Sequence, residues 1–359
     1  MPLSAVDTVT PAFEHAQRQL TRPFRFGQWV RLAFVGALAG ESASFNGCNF
    51  NYPGHSPSSA PHVDHQTALL AAQLPQQFNW HSSMVAWIVA FSLIGIGLIV
   101  LFTYIGSVMQ FILFDSVIRR ECRIREGWSR RKHDGFQLFL WQILFMLVVF
   151  GVVVILIGSP VLAAWRMGWF ADAREHIAGL ILGGCGLLFL FLCLLLFFGV
   201  IQVMTKDFVV PQMALEGIDA FEGWRRLLPK MKAEKGGYAG YIGMKIVLAI
   251  GAAVALGIIT ILGILILLIP FGVVGGAGVL AGWAMGLTWN VYTIAAAVVY
   301  GCIVVAVFIF AALLIAVPKV VFFPAYAIYF FAPRFPPLAA VLWPPTTPPA
   351  APPSLEPIR

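Results

Sequence analysis

Five long apolar runs dominate the chain, and none of them contains Asp, Glu, Lys or Arg. A transmembrane α-helix needs about 20 consecutive, mainly apolar residues. Runs of this length or longer lie at Val85–Phe114, Phe136–Gly158, Ala178–Met204, Ile246–Ile269 and Ile294–Val317. The pattern therefore predicts an all-α fold, a polytopic transmembrane helical bundle.

A shorter apolar run, Phe26–Ser44, is a sixth candidate span. It carries Arg31 near its start, where the side chain can reach the lipid headgroups. Basic residues form two blocks, seven between positions 119 and 132 and five between 225 and 235, whereas none occurs at 32–118 or 246–318. Because cytoplasmic loops collect Lys and Arg, both blocks are predicted to be cytoplasmic.

The sidedness decides how the sixth run is interpreted. If both basic blocks lie inside, the cation-free stretch 46–84 lies outside, while Arg18, Arg22 and Arg25 favour an N-terminus inside. Phe26–Ser44 must then cross the membrane, or nearly cross it. We expect about six spans in a prokaryotic cytoplasmic (inner) membrane, with both termini cytoplasmic. The alternative, a cleaved secretory signal, requires an unusually long basic region before the apolar stretch.

The chain is accordingly divided into a cytoplasmic N-terminal segment (1–25), a short first span (26–44), an extracytoplasmic loop (45–84), a membrane bundle (85–334) and a Pro-rich tail (335–359). Within the bundle, Phe271–Tyr292 is apolar and rich in glycine, which favours a short re-entrant or interfacial hairpin. The tail is expected to be extended.

The composition excludes several other classes of protein. Apolar residues make up 60% of the chain and charged residues 11%, with a mean hydropathy of +0.86, whereas soluble domains carry about 25% charged residues. The net charge is +7. Because the cations flank the spans, we expect contacts with anionic lipid headgroups and none with nucleic acid. The five scattered cysteines support no disulfide or zinc framework.

A short motif occurs twice. The pattern Val-x-Gln-x4-Asp occupies 108–115 and 200–207, and Glu-Gly-Trp follows at 126–128 and 222–224, with four extra residues in the second copy. Both copies end a predicted span and begin a basic loop, so the pattern predicts a parallel repeat.

The basic loop after the second copy contains an amphipathic pattern. Apolar side chains recur there at steps of three or four residues, at Ile218, Phe221, Trp224, Leu228 and Met231. This spacing predicts a helix that lies on the cytoplasmic leaflet with its cations toward anionic lipid. Asp219 and Glu222 have the spacing of a capping box.

Several stretches carry a resemblance: Pro23-Phe24 before Gln28–Phe34, Asn49–Gly54, Asp207–Met213, and Val317-Pro318 with Phe323 and Tyr326. Together they resemble an uncharacterised prokaryotic membrane-protein family that is related to the membrane domain of glycerophosphoryl diester phosphodiesterase. The resemblance implies a multi-helix membrane module without an established activity. A catalytic barrel needs about 250 residues, and the longest polar stretch here is Asn46–Met84, so the resemblance transfers no chemistry.

One cluster in the predicted outer loop is a candidate metal site. His55, His62, Asp64 and His65 are residue types that bind zinc or copper. Their spacing matches no standard site, and solvated histidines in a polar loop are the alternative. No histidine lies within a predicted span, which disfavours haem held inside the bilayer.

The polar residues of the repeat are the other candidates. Gln110 and Gln202 can form interhelical hydrogen bonds, and Asp115 and Asp207 can form ion pairs with arginines such as Arg119 and Arg225. Alternatively, these two glutamines and two aspartates line a shared cytoplasmic cavity. No acidic residue lies in the middle of a span, which disfavours ion-coupled transport.

These patterns predict a protein that is not an enzyme and needs no cofactor. The first hypothesis is a non-catalytic structural or accessory membrane component that packs against a partner membrane protein or a second copy through glycine-rich and aromatic faces. The alternatives are a permease or flippase for a neutral or lipid-like substrate and a metal-dependent enzyme in the outer loop.

Overall fold

The computed structural model describes residues 4–22, 24–41, 80–169, 177–286 and 290–344, and all regular structure within these ranges is helical. The α-helices in these ranges are α1 (Val9–Thr21), α2 (Phe26–Leu38), α3 (Trp80–Arg119), α4 (Ile124–Arg166), α5 (Ile177–Met204), α6 (Val210–Glu216), α7 (Ala220–Ala233), α8 (Lys235–Ala284), α9 (Val291–Phe331) and α10 (Pro336–Leu342). A π-helical turn, Thr205–Val209, joins α5 to α6 and is called the π-turn below.

Five helices are long and apolar enough to cross a membrane: α3, α4, α5 with its continuation to Glu216, α8 and α9. They confirm the predicted polytopic transmembrane helical fold. These spans contain 36 to 50 residues, which corresponds to about 54–75 Å. A whole bilayer is about 40–45 Å thick. Each span therefore extends beyond the membrane.

The buried residues gather at one end of the spans, which we call the core end; the opposite ends are the distal ends. The core combines α1, α2, the last turns of α3 and α9, the first turns of α4 and α8, and the segment from the π-turn to α7. Phe208, Phe330 and Phe331 are fully buried at its centre, with ring centroids 5.1–5.9 Å from Phe208. In the most apolar stretch of each span, by contrast, no more than 6% of residues are buried.

The run predicted as a short first span forms the short helix α2. Its 13 residues extend about 20 Å, which is less than the about 30 Å of a hydrocarbon core. The Gln28 side chain donates to the Arg120 carbonyl (2.8 Å) at one end of α2, and the Leu38 carbonyl lies beside Gly106 at the other. Helix α2 thus runs antiparallel to α3 from the core end into the bundle. It ends beside Gly106, whereas α3 extends from Gly106 a further 26 residues, or about 39 Å, away from the core end to Trp80.

Helix α1 was not expected in the N-terminal segment. It packs along α9, where Tyr326 donates to the Ala5 carbonyl (3.0 Å). Its His15 ring lies 2.9 Å (Nε2) from the Val117 carbonyl of α3. Both α1 and α10 lie at the core end, so the described parts of the two chain ends share one side of the bundle.

Two predicted segments differ from the structure. The hairpin expected at Phe271–Tyr292 is instead the distal end of α8, which continues through Pro270 to Ala284 before α9 begins at Val291. The tail is not extended at its start, because prolines occupy the first turn of α10, where a missing N–H costs nothing, and Leu338 is buried against the core. Residues 345–359 lie outside the described ranges.

Glycine allows a close helix contact at the core end. A Cβ atom on Gly135 of α4 would lie 2.5 Å from Val108 Cγ2 and 2.9 Å from Val108 Cα. The backbones of α3 and α4 therefore approach each other more closely than any other residue type at position 135 would permit.

Candidate functional site

The π-turn brings Asp207 into a polar cluster at the core end. A π-helical turn contains one more residue than an α-helical turn and changes the direction of the following side chains. Tyr241 of α8 donates to Asp207 Oδ2 (2.7 Å), and Lys245 of the same helix forms an ion pair with that oxygen. The Tyr241 ring stacks on Tyr326, with centroids 5.1 Å apart and planes 8° apart. Asp207 is therefore a buried carboxylate whose Oδ2 atom is shared by a tyrosine hydroxyl and a lysine ammonium group.

The preceding residue, Lys206, is held less tightly. Its Nζ lies 3.5 Å from a Glu41 carboxylate oxygen and 3.5 Å from the Ala39 carbonyl oxygen, just after α2. Both distances exceed those of a good charge-assisted hydrogen bond, which is about 2.7–2.9 Å. Of the Lys206 side chain, 26% remains exposed. This ammonium group can accept a further anionic or polar partner.

Lys206 lies between two adjoining cavities. The smaller, of about 40 Å³, lies between the π-turn and α9 and is lined by Glu41, Gln110, Lys206 and Asp207 together with apolar residues. The larger is an open cleft of about 770 Å³ between α3, α4 and α5, with the end of α2 at its base. We call it the cleft. Its lining comprises Leu38, Ala39, Gly40, Leu98, Ile99, Phe102, Thr103, Gly106, Gln110, Gln142, Phe145, Met146, Val149, Gln202 and Lys206.

Amides line the end of the cleft nearest the core. Gln142 accepts a hydrogen bond from Ser107 Oγ (2.8 Å), which leaves its NH2 group for other partners. The side-chain oxygen of Gln110 is buried and has no hydrogen-bond partner within the described part of the chain. A buried, unpaired acceptor is costly, and the residue that carries it lines both cavities.

The structure brings three of the four predicted cavity residues together. Gln110 and Gln202 line the cleft, and Gln110 and Asp207 line the smaller cavity. Asp115 lies elsewhere. It lines a separate depression of about 220 Å³ on the face of α3 opposite to the one that lines the cleft. One cavity shared by all four residues is therefore not formed.

The expected ion-pair partners also differ. Asp115 pairs with Arg131 through two hydrogen bonds of 2.9 Å, rather than with Arg119. Asp207 pairs with Lys245, rather than with Arg225. Each actual partner lies one helix farther along the chain than the expected arginine. The packing of the helices selects these partners, and the sequence spacing does not reveal that packing.

The predicted amphipathic helix is α7. Phe221 packs edge-on against Trp141 of α4 (4.9 Å between centroids), and Trp224 donates to Thr205 Oγ1 (3.2 Å). The capping box does not form, because Asp219 makes no capping hydrogen bond and Glu222 pairs with Arg225 and Arg226 instead. The hydrogen bond from Arg226 lowers the pKa of Glu222.

The candidate metal ligands His55, His62, Asp64 and His65 lie outside the described residues. Within the described ranges, no group of three or more His, Cys, Asp or Glu side chains is placed to hold a metal ion. The outer-loop metal site therefore stays a prediction.

Sequence reasoning missed Glu41, Lys206 and Tyr241 as members of the site. Lys206 stands beside the repeated Asp207, and the four extra residues of the second copy were the signal of an altered helix end. Glu41 and Tyr241 gave no signal, because each reaches the site only through the packing of α2 and α8.

Comparison with known proteins identifies a family without supplying an activity. No curated protein and no solved structure gives a significant match. Residues 3–341 match the model of a family of unknown function, DUF7544. Since this match covers nearly the whole chain, the protein belongs to that uncharacterised family.

Proposed function

We propose that this protein is a non-catalytic structural or accessory component of a prokaryotic cytoplasmic membrane, which assembles with a partner membrane protein or with copies of itself. The observation that carries the proposal is the contrast between the densely packed core end and the spans, whose most apolar stretches bury almost nothing. Helices in a bilayer associate through close van der Waals packing. Faces left uncovered within one chain are therefore available to another chain.

The distribution of basic residues supports a cytoplasmic core end. Both basic blocks, at 119–132 and 225–235, lie in the segments that surround the core. The positive-inside rule then favours cytoplasmic termini, since α1 and α10 lie at the same end. Exposed cations such as Arg225 on α7, with 82% of its side chain exposed, would face anionic headgroups.

A glycine-rich groove at the distal ends of α8 and α9 is the surface best suited to a partner helix. The groove has a volume of about 610 Å³, and its lining includes Gly278, Gly282, Trp283 and Tyr300. Small residues at four-residue spacing allow a second helix backbone to approach closely, and aromatic residues extend the contact.

The test is mass spectrometry of the protein purified in a native-like membrane mimic, with two matched variants. A Cβ atom on either Gly278 or Gly272 meets no atom within 4 Å, so both positions leave space for the start of a leucine side chain. We expect an assembly of fixed stoichiometry whose yield falls about tenfold in Gly278→Leu, equivalent to about 1.4 kcal/mol, and is unchanged in Gly272→Leu. A wild-type protein that is always a lone monomer contradicts the proposal.

The cleft favours a second candidate function, a permease or flippase for a lipid-like substrate. Its apolar walls and amide-lined base suit an amphiphile, and such a substrate needs no ionisable group at the midplane. Reconstituted vesicles with a fluorescent phospholipid and an external quencher test this function. A rate of transfer between leaflets at least about tenfold higher than in protein-free vesicles supports the flippase function. Equal rates in the two kinds of vesicle contradict it.

We also propose that the family is related to the membrane domain of glycerophosphoryl diester phosphodiesterase, on the short sequence stretches described above. The proposal implies common helix packing and no shared reaction. A determined structure of that domain with a different helix order would contradict it.

A further inference from the structure

The cleft has the dimensions and polarity of a lipid site. Along α3 it extends from Leu98 to Gln110, which is 12 residues or about 18 Å. One leaflet contributes about half of the 30 Å hydrocarbon core. The lining is apolar toward the distal end, at Leu98, Phe145 and Val149, and polar at the base, so the cleft matches one leaflet in both depth and orientation.

The charges at the base favour an anionic group. Asp207 is paired with Lys245, whereas Lys206 lies 3.5 Å from Glu41 and keeps 26% of its side chain exposed. Lys206 is the lysine that lines both cavities, so its loosely paired ammonium group is the cation presented to a ligand in the cleft.

We propose that the cleft binds one membrane glycerophospholipid, with its phosphate at Lys206 and one acyl chain along Phe102, Phe145 and Val149. The amide groups of Gln110 and Gln202 contact the glycerol and phosphate oxygens. This site does not depend on the proposed assembly, because the groove at α8 and α9 is a different surface.

Photolabelling tests the site in the full-length protein. The probe is phosphatidylglycerol with a diazirine in its acyl chain, added to protein in an alkyl maltoside detergent, which contains no phosphate. Peptide mass spectrometry then locates the adducts. We expect them to concentrate on the stretches 98–103 and 142–149, and we expect diacylglycerol with the same diazirine to label these stretches about tenfold less, the loss for one charge-assisted hydrogen bond.

Two pairs of variants separate the site from general lipid contact. Met146 lines the cleft, whereas the neighbouring Leu147 does not, and both side chains are exposed, so neither tryptophan substitution disturbs the core. Met146→Trp should reduce cleft labelling about tenfold and Leu147→Trp should not. Lys206→Met should also reduce cleft labelling about tenfold. Lys206→Arg should restore the labelling, because it keeps the positive charge, and Lys232→Met should leave it unchanged.

Three results would overturn the proposal. The first is labelling spread evenly over all exposed apolar stretches. The second is equal labelling by phosphatidylglycerol and diacylglycerol, which removes the role of the phosphate. The third is unchanged labelling in Met146→Trp. None of these results affects the assembly test, whose readout is the stoichiometry of the purified protein.

Discussion

The first copy of the repeated motif ends α3 as a regular α-helix, whereas the second copy ends α5 with the π-turn. Several contacts are common to the two copies. The ion pairs Glu126–Arg130 and Glu222–Arg226 form at equivalent positions, and Gly127 and Gly223 each pack against the end of the preceding span. The common sequence therefore specifies a common junction between a span and a basic helix.

The difference lies in what surrounds the two aspartates. Asp115, with 17% of its side chain exposed, pairs with Arg131, while Asp207, with 9% exposed, lies between Lys245 and Tyr241. At the position before the aspartate, the first copy has the buried Phe114 and the second has the cleft residue Lys206. The same motif therefore yields a structural ion pair in the first copy and the base of a cavity in the second. The difference between the copies is the π-turn, which only the second copy has.

The largest expected effect comes from removing each aspartate. Asp207→Ala leaves Lys245 as an uncompensated, largely buried charge, which should lower the free energy of unfolding by about 3–5 kcal/mol. Asp115→Ala should cost only about 1–3 kcal/mol, because Arg131 retains Asp134 (3.0 Å) and the Ala214 carbonyl (2.8 Å). Denaturant unfolding of both variants in micelles measures the two losses.

The double variant Asp207→Leu/Lys245→Met is the control for this prediction. It replaces the buried pair by apolar side chains of similar volume, so part of the stability should return, less the cost of leaving the buried Tyr241 hydroxyl without its acceptor. Equal losses in Asp207→Ala and Asp115→Ala, or no recovery in the double variant, would show that the two aspartates contribute to stability in the same way.

An intermediate effect is expected at the two equivalent glycines. A Cβ atom on Gly223 would lie 2.7 Å from Val209 Cγ1, at the edge of the π-turn, whereas one on Gly127 would lie 3.0 Å from Ile112 Cγ1. Gly223→Ala should therefore cost about 1–2 kcal/mol through overpacking. Gly127→Ala should be nearly neutral, because the gain in helix propensity of about 1 kcal/mol offsets a small shift.

Thermal unfolding of the two variants beside Gly240→Ala gives the comparison. A Cβ atom at position 240 meets nothing within 4 Å, so this variant reports the propensity gain alone. If Gly127→Ala were the more destabilising of the two, the tighter junction would belong to the first copy.

The sequence was sufficient for the spans and insufficient for the site. Long uncharged runs determine transmembrane helices because the bilayer demands internal hydrogen bonding, and each of α3, α4, α5, α8 and α9 contains one of these runs. The lengths and ends of these helices depend on tertiary contacts. The continuation of α8 through Pro270 was therefore not predictable, because it lies beside α9, where Phe271 packs edge-on against Phe308. The pairing of Asp207 with Tyr241 depends on the π-turn, and one inserted residue leaves no periodic signal.

The smallest expected effect concerns acid, and it acts on the first copy alone. His15 of α1 contacts the Val117 carbonyl at the end of α3 and lies 3.3 Å from Tyr329 Oη, and burial lowers its pKa, with the charges of Arg120 and Arg18 acting in the same direction. The folded state therefore favours the neutral ring, so its contribution to stability is complete above the ordinary histidine pKa of about 6.5 and is lost as the pH falls toward the lowered value. Thermal unfolding at pH 7.5 and pH 5.5 should show a lower transition temperature in acid, and His15→Gln should reduce this difference, because an amide donates to Val117 without titrating. If the transition temperature falls equally in the wild type and in His15→Gln, the pH dependence belongs to other groups. The first copy would then be as insensitive to acid as the second.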